Sequence, residues 1–379
     1  MYNTLKIDAE SLAQNKAEHT AREIAQQPDS WQRTASIVDT QRPQLQQWLQ
    51  PLLQRSDLRI ILTGAGTSAY AGETLAPYLT RVMERRVEAI STTELVSNPN
   101  DYLLHAIPTL LISYARSGNS PESVGAYDVV NQCVEHCYHL VITCNPDGEL
   151  AKRADGSSNS YSLLMPEETL DQSFAMTSSF TSMLLATLEV FAPQTAQLPA
   201  LTNVTRNLLE GQLDAIQAIA HRDFKRVVFL GAGGLKGIAT EAALKMLELT
   251  AGKVDCHAES PLGFRHGPKS MVDKQTLVVL LQSNDAYCRR YDDDLLAELK
   301  RDGTTEWIVC PASFAKADAL EEAWLALYYI VFAQALAFYK SLHLGITPDN
   351  PCPTGEVNRV VQGVTIYPLS PRNQGKQCA

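Results

Sequence analysis

The 379-residue chain is predicted to be an α/β protein: two tandem three-layer αβα sandwiches with flavodoxin-like parallel sheets, a helical arm before them and an extended tail after them. Three observations predict this. From residue 59 onward, short β-branched runs alternate with helical patterns, as in successive βαβ units. The runs are near-continuously apolar, as expected of parallel strands covered on both faces. The chain also repeats itself. RIILTGAGTSAYAGETLAPYL from Arg59 resembles RVVFLGAGGLKGIATEAALKM from Arg226, and TLLISYARSGNS from Thr109 resembles TLVVLLQSNDAY from Thr276. Both pairs lie 167 residues apart, and HLVITCNP and EWIVCP, ending at Pro146 and Pro311, fall within two residues of that offset. Three matches at nearly one spacing imply two copies of one domain.

Residues 1–51 read as polar-rich helix, an N-terminal packing arm. The first copy, 52–213, carries strands at Arg59–Thr63, Val87–Ser91, Thr109–Tyr114, Leu140–Cys144 and Ser160–Leu164, with helices between them. The second copy spans 217–364. Within it Trp324–Tyr339, WLALYYIVFAQALAFY, is interrupted by Gln334 and falls short of a clean membrane span of ~20 residues. It reads as a helix buried on most sides, with a subunit interface as one place for it. The sequence after Leu344 is rich in Pro and Gly, too irregular for a core of its own. It is expected to lie across a domain and to end in a tail, 365–379.

Composition narrows the function. Apolar residues are 45% and charged residues 20%, which suits packed domains. Lys and Arg number 32 against 42 Asp and Glu, and this net charge of −10 disfavours nucleic acid as the main partner. No apolar core of a signal peptide opens the chain, and the eight cysteines are spread along it. A cytoplasmic protein with reduced thiols and no membrane association is expected. Cys133, His136, Cys137 and His139 are dense enough to suggest a metal, but they run from a helix into a strand with no second ligand pair, so they read as structural.

Gly64-Ala65-Gly66-Thr67-Ser68-Ala69 follows a strand and opens a helix, which formally fits a dinucleotide turn with Glu88 as its ribose acid. Glu88, however, falls inside an apolar strand run, and Thr67 and Ser68 put hydroxyls where a pyrophosphate usually meets bare backbone. A second turn, Arg116-Ser117-Gly118-Asn119-Ser120, follows the third strand. Both turns precede helices, whose N-termini offer free N–H groups and positive dipole ends. Gly66, Thr67, Ser68, Arg116, Ser117 and Ser120 together suit a terminal phosphomonoester. Ordinary helix capping by Ser and Thr is the competing explanation.

The runs S-x-x-R-S-G-N-S-x-E, from Ser113, and G-x-G-T-S, from Gly64, resemble the sugar isomerase (SIS) domain family, which binds phosphosugars. The tandem repeat resembles the isomerase half of glucosamine-6-phosphate synthase. ESPLGFRHGPKS, from Glu259, and NPCPTGEVNRVVQGV, from Asn350, are similar to the AgaS-type branch of galactosamine-6-phosphate deaminases and tagatose-6-phosphate isomerases.

Copy two has Gln282-Ser283-Asn284-Asp285 where copy one has its serine-rich turn, so it is not expected to hold a second phosphate. Helical spacing puts Glu241, Lys245 and Glu248 on one face. The resemblance implies that Glu248 moves a proton between C1 and C2, and that His266 opens the sugar ring from a neighbouring subunit, which makes the protein at least a dimer. Such roles suit a carboxylate beside the substrate and an imidazole near neutrality. Read without the resemblance, Glu248 is equally a helix residue paired with Lys245, and His266 a loop histidine bonded to backbone. The stretch Asp171–Ser179 resembles the family's sugar-hydroxyl loop, with Thr177 and the Ala175 backbone as candidates, though a capped helix start explains it equally well. The synthase's Schiff-base lysine aligns with Gln362, which closes that route, and there is no cysteine at position 2 for a glutaminase.

The resulting expectation is a deaminase converting galactosamine 6-phosphate to tagatose 6-phosphate and ammonia, without metal or organic cofactor. A plain ketose/aldose isomerase and a non-catalytic phosphosugar sensor are the alternatives.

Overall fold

A computed structural model describes residues 3–314 and 316–370. The arm is three helices, α1 (Ala9–Gln14), α2 (Glu18–Ala25) and α3 (Gln27–Leu53). The first sheet comprises β1 (Arg59–Thr63), β2 (Val87–Ala89), β3 (Thr109–Ala115), β4 (Cys137–Thr143) and β5 (Ser160–Leu164), all parallel in the order β2-β1-β3-β4-β5. Its helices are α4 (Thr67–Val82), α5 (Thr92–Ser97), α6 (Pro99–Tyr102), α7 (Pro121–Cys133), α8 (Glu149–Asp155) and α9 (Ser178–Phe191), and α10 (Gln197–Gly211) and α11 (Leu213–Ala220) lead to the second sheet. That sheet, β6 (Arg226–Leu230), β7 (Asp255–Glu259), β8 (Thr276–Leu280) and β9 (Ile308–Val309), has the order β7-β6-β8-β9. Its helices are α12 (Gly234–Leu249), α13 (Pro261–Phe264), α14 (Ala286–Asp302) and α15 (Glu322–His343).

The two sheets share a register. Ile61 pairs with Leu111 between β1 and β3, and Val228 with Val278 between β6 and β8, the same residues 167 positions on. Successive side chains of a strand point to opposite faces. Ile61 and Leu111 therefore enter a layer with α5 and α7, while Ile60, Leu62, Leu110 and Ile112 face α4 and α9. In the second sheet Val228 and Val278 meet Phe264 and Leu295, while Val227 and Val279 face α12 and α15. The inner faces of both sheets thus share one core with α4, α9, α12 and α15 between them.

Two strand ends differ from the expected ones by two residues or more, and two others, the ends of β3 and β4, by one. β2 stops at Ala89 because it pairs only with Ile60–Leu62, and Ser91 instead caps α5, accepting from Glu94 N at 3.3 Å. β4 starts at Cys137 because β3 pairs along its whole length, Thr109 opposite Cys137. His139 is buried there, stacked on Tyr127 at 3.9 Å, with burial pushing its pKa down to about 4. Cys137 Sγ donates to Asn131 Oδ1 at 3.0 Å.

α15 is long and apolar enough to cross a membrane, yet 94% of that stretch is buried. Its cover comes from within the chain, from α2, α4, α9, α10, α11 and α12, so it needs no subunit interface. Gln334, the polar interruption, accepts a hydrogen bond from Gln27 Nε2 at 2.8 Å. After α15 the described residues, up to 370, have no regular secondary structure. Asp349 ties it to the arm, accepting from Thr20 N and Thr20 Oγ1, both at 2.7 Å. Ile366 then packs on Gly125 of α7, and Leu369 O accepts from Gln132 at 2.9 Å. The expected tail, 365–379, lies beyond residue 370 for most of its length, outside the described residues.

Candidate active site

In open parallel sheets, ligands bind outside the carboxyl ends of the strands where the strand order reverses. In the first sheet that point lies between β1 and β3. Gly64 and Gly66 form the β1–α4 turn. A Cβ at Gly64 would lie 2.5 Å from the Ser68 carbonyl carbon, and Gly66 has φ 54° and ψ −125°, a conformation closed to side-chain-bearing residues. Gly233, its counterpart in copy two, has φ 56° and ψ −129°. The β3–α7 turn is held from behind: Asn145 Nδ2 donates to Ser117 O at 2.8 Å, and Glu149 N donates to Asn119 Oδ1 at 2.9 Å.

A cavity of about 110 Å³ opens between these turns, lined by Ala65, Ser68, Arg116, Ser117, Gly118, Ser120, Met176 and Arg359 among others. Ser120 occupies the N-cap position of α7, but its side chain makes no capping bond; its Oγ donates to Ser123 Oγ at 2.6 Å. Pro121 brings no N–H and Ser123 N donates to Ser120 O at 3.0 Å, so Glu122 N and the positive dipole end are what α7 offers an anion here. Copy two is closed at the same place. Asp285 caps α14, accepting from Tyr287 N at 3.0 Å and Cys288 N at 2.9 Å, so a carboxylate of the chain itself occupies the position.

Arg116 is 6% exposed. Its guanidinium donates to the carbonyls of Ser173 (3.2 Å), Phe174 (3.1 Å) and Arg359 (2.6 Å). Burial, then the neighbouring Arg359, hold its pKa below the ordinary value, with Asp171, Glu248 and Glu23 acting the other way. Arg116 thus contributes charge to the wall while its donors brace the surrounding loops.

Ala175 and Thr177 are both fully buried, and Met176 between them lines the cavity. The loop is a capped helix start whose cap comes from a distance. Asp171 accepts from Thr177 N at 2.7 Å, Ser179 N at 2.9 Å, Ser178 Oγ at 2.5 Å and Ser179 Oγ at 2.6 Å. Glu23 of α2 holds the same loop through Gln172 N at 2.5 Å and Ser173 N at 3.3 Å, and burial together with Asp171 pushes its pKa up to about 7.

Thr67, beside the cavity-lining Ser68, joins this cavity to copy two. α12 crosses α4 so closely that a Cβ on Gly234 or Gly237 would lie 2.4 or 2.6 Å from Thr74. That approach places the fully buried Lys245 with its Nζ 3.0 Å from Thr67 Oγ1, 2.5 Å from Glu248 Oε2 and 3.4 Å from Glu241 Oε1. Burial works against the Lys245 ammonium, but Glu241 and Glu248 outweigh it and hold its pKa above the ordinary value. Glu241 is completely buried, and burial, with Glu248 adding to it, outweighs the Lys245 charge and pushes its pKa up to about 8. Lys245 thus bridges the buried Glu241 to Glu248, whose side chain is 22% exposed.

His266 is exposed on the loop after α13 and does not line the cavity within one chain. Its loop is fastened on both flanks to Glu298 of α14, by Arg265 Nε at 2.7 Å and by Lys269. Glu88 is engaged by Arg59, whose Nε and Nη2 reach its two oxygens at 2.5 and 3.1 Å, which leaves no ribose acid.

Sequence reasoning set the two turns and the Glu241–Lys245–Glu248 face but gave no site role to Met176 or Arg359. Met176 lay between two named candidates. Arg359 had only its place in the AgaS-type run as a signal, because its contacts come from a tail with no periodicity.

The geometry agrees with the comparisons. The SIS domain model matches residues 52–192 and 222–344. A protein of Shewanella sp. (strain ANA-3) named D-galactosamine-6-phosphate deaminase AgaS is 50% identical over 97% of this chain and 96% of its own. An Escherichia coli protein of the same name is 47% identical over 92% of this chain and 95% of its own. The crystal structure of tagatose-6-phosphate ketose/aldose isomerase from Escherichia coli superposes with a TM-score of 0.86 at 44% identity, covering 93% of this chain and 97% of that one. The chain belongs to the SIS domain family.

Proposed function

We propose that the protein is a galactosamine-6-phosphate deaminase working through aldose–ketose isomerase chemistry. The observation that carries this is the juxtaposition of an open, serine-lined helix N-terminus with the Lys245–Glu248 pair, in a chain half identical to a protein named for that activity. Ser68, Ser117, Ser120 and the α7 N-terminus take the phosphate, with Gly66 and Thr67 shaping the turn and Arg116 adding charge. Ala175 and Thr177 belong to the loop that supports the sugar side. Copy one, 52–213, binds; copy two, 217–364, supplies the chemistry.

Once the ring is open, Glu248 takes the C2 proton of galactosamine 6-phosphate and returns it to C1. The resulting 2-imine adds water and expels ammonia, leaving tagatose 6-phosphate. Lys245, gripped by Thr67 and Glu241, holds the Glu248 carboxylate toward the substrate, and phosphate binding positions C1 and C2 against it. His266, exposed on its pinned loop, serves the site of a neighbouring subunit in a homo-oligomer and moves the ring-opening proton.

A ketose/aldose isomerase acting on a sugar without nitrogen uses the same groups, and the name of the Escherichia coli structure favours it as the second reading. Ammonia release from galactosamine 6-phosphate, run beside glucosamine 6-phosphate, tests the proposal. Release from the galacto sugar is expected. No ammonia from either, with ketose formed from galactose 6-phosphate, would replace the deaminase by the isomerase.

A further inference from the structure

The tail returns over the first domain and meets the cavity at Arg359. Its Nε donates to Ser173 O at 3.2 Å, its Nη2 donates to Asp171 O, and its own carbonyl accepts from Arg116 Nη2 at 2.6 Å. Arg116 also donates to Ser173 O, so two guanidiniums share one carbonyl. Among the described residues, neither has a carboxylate oxygen within 4.0 Å. The loop they grip is held from its other side as well, where Glu23 accepts from the N–H groups of Gln172 and Ser173. Both arginines, with Val360 and Val361, line the cavity.

Nothing in the fold requires two like charges at this place. A tail could be fastened by neutral contacts, as it is at Ile366 and Leu369. Asp171, Glu248 and Glu23 are felt at Arg116 but none reaches ion-pair distance, so the two guanidiniums still repel one another, and a dianion entering the space between them relieves that repulsion.

We propose that Arg359 is a positioning residue of the phosphosugar site: its guanidinium fastens the tail to the Ser173–Phe174 loop and adds positive charge to the cavity wall, so that a phosphate dianion and the docked tail hold each other in place. The proposal rests on the phosphate reading of the cavity. By linkage, whatever binds only the docked form stabilises docking, and docking tightens binding to the same degree.

The test uses the full chain with inorganic phosphate as the probe. In the unmutated protein, hydrogen exchange of amides in residues 357–366 is expected to slow when phosphate is added. Arg359→Ala is expected to raise KM for galactosamine 6-phosphate and the inhibition constant of phosphate together, each about tenfold, with kcat within about twofold. Arg359→Lys, which keeps the charge but not the fork, falls between the two. A tail that is merely anchored would show a lower melting temperature with KM and phosphate inhibition unchanged. That result, or tail exchange indifferent to phosphate, overturns the proposal. Ser117→Ala/Ser120→Ala separates the two levels. If this variant weakens phosphate inhibition and Arg359→Ala does not, the role of Arg359 fails alone; if neither does, the phosphate reading fails with it.

Discussion

Glu241 shows how a single buried carboxylate sets a pH response. A carboxyl whose folded pKa stands above its unfolded value binds more protons when folded, so stability falls as pH rises between the two values. For Glu241 that window runs from the ordinary glutamate value of 4.5 to about 8. His139, pushed down to about 4, has the opposite sign up to 6.5, and Lys340, lowered to about 8, acts above that. Between pH 6.5 and 8 Glu241 therefore dominates, joined at the lower edge by Glu23. Chemical denaturation across this range should show stability declining in the unmutated protein and a flatter profile in Glu241→Gln, which mimics the protonated acid. An equally steep profile in the variant would place the titrating group elsewhere. Ser120 gives a second residue-scale test. Its hydroxyl caps nothing, so Ser120→Ala should leave the melting temperature nearly unchanged. KM should rise about tenfold or more, since a hydrogen bond to a charged group contributes roughly 1.5–3 kcal/mol.

At the scale of elements, the α4–α12 crossing decides whether copy two reaches copy one. Gly237 sits where a Cβ would lie 2.6 Å from Thr74 N and Oγ1. Gly237→Ala must push the helices apart, at a cost of about 1–3 kcal/mol, and it draws Lys245 away from Thr67. Thermal unfolding and kcat should fall together. A variant as stable and active as its parent would mean the crossing has slack. Asp285→Ala is the control in the other domain. Losing the cap of α14 should cost about 0.5–2 kcal/mol without changing KM, because the proposed phosphate site is the serine-lined turn of copy one. These elements differed in how far sequence exposed them. The offset of 167 residues reappears in the register of Ile61 on Leu111 and Val228 on Val278, and in the matching backbone of Gly66 and Gly233. Local chemistry, glycine turns and apolar runs, dictates those features. The ends of β2 and β4 depend on how far each neighbour extends, which a single strand's pattern does not contain.

Over the whole molecule, the site is assembled from pieces remote in sequence: turns at residues 64 and 116, a helix at 245, a loop at 173 and a tail at 359. The serine turns and the acidic face of α12 were legible because a phosphate and a proton transfer each demand particular residue types. The grip of Thr67 on Lys245, the distant cap supplied by Asp171 and the wall supplied by Arg359 were not, because each arises from packing between elements. In the proposed function binding belongs to copy one and proton transfer to copy two, and Glu248→Gln tests that division most directly. The variant should bind galactosamine 6-phosphate in calorimetry with an affinity near that of the unmutated protein, while ammonia release falls about 10²–10⁴-fold, the usual contribution of a positioned base. Undiminished ammonia release from Glu248→Gln would contradict the account at its centre.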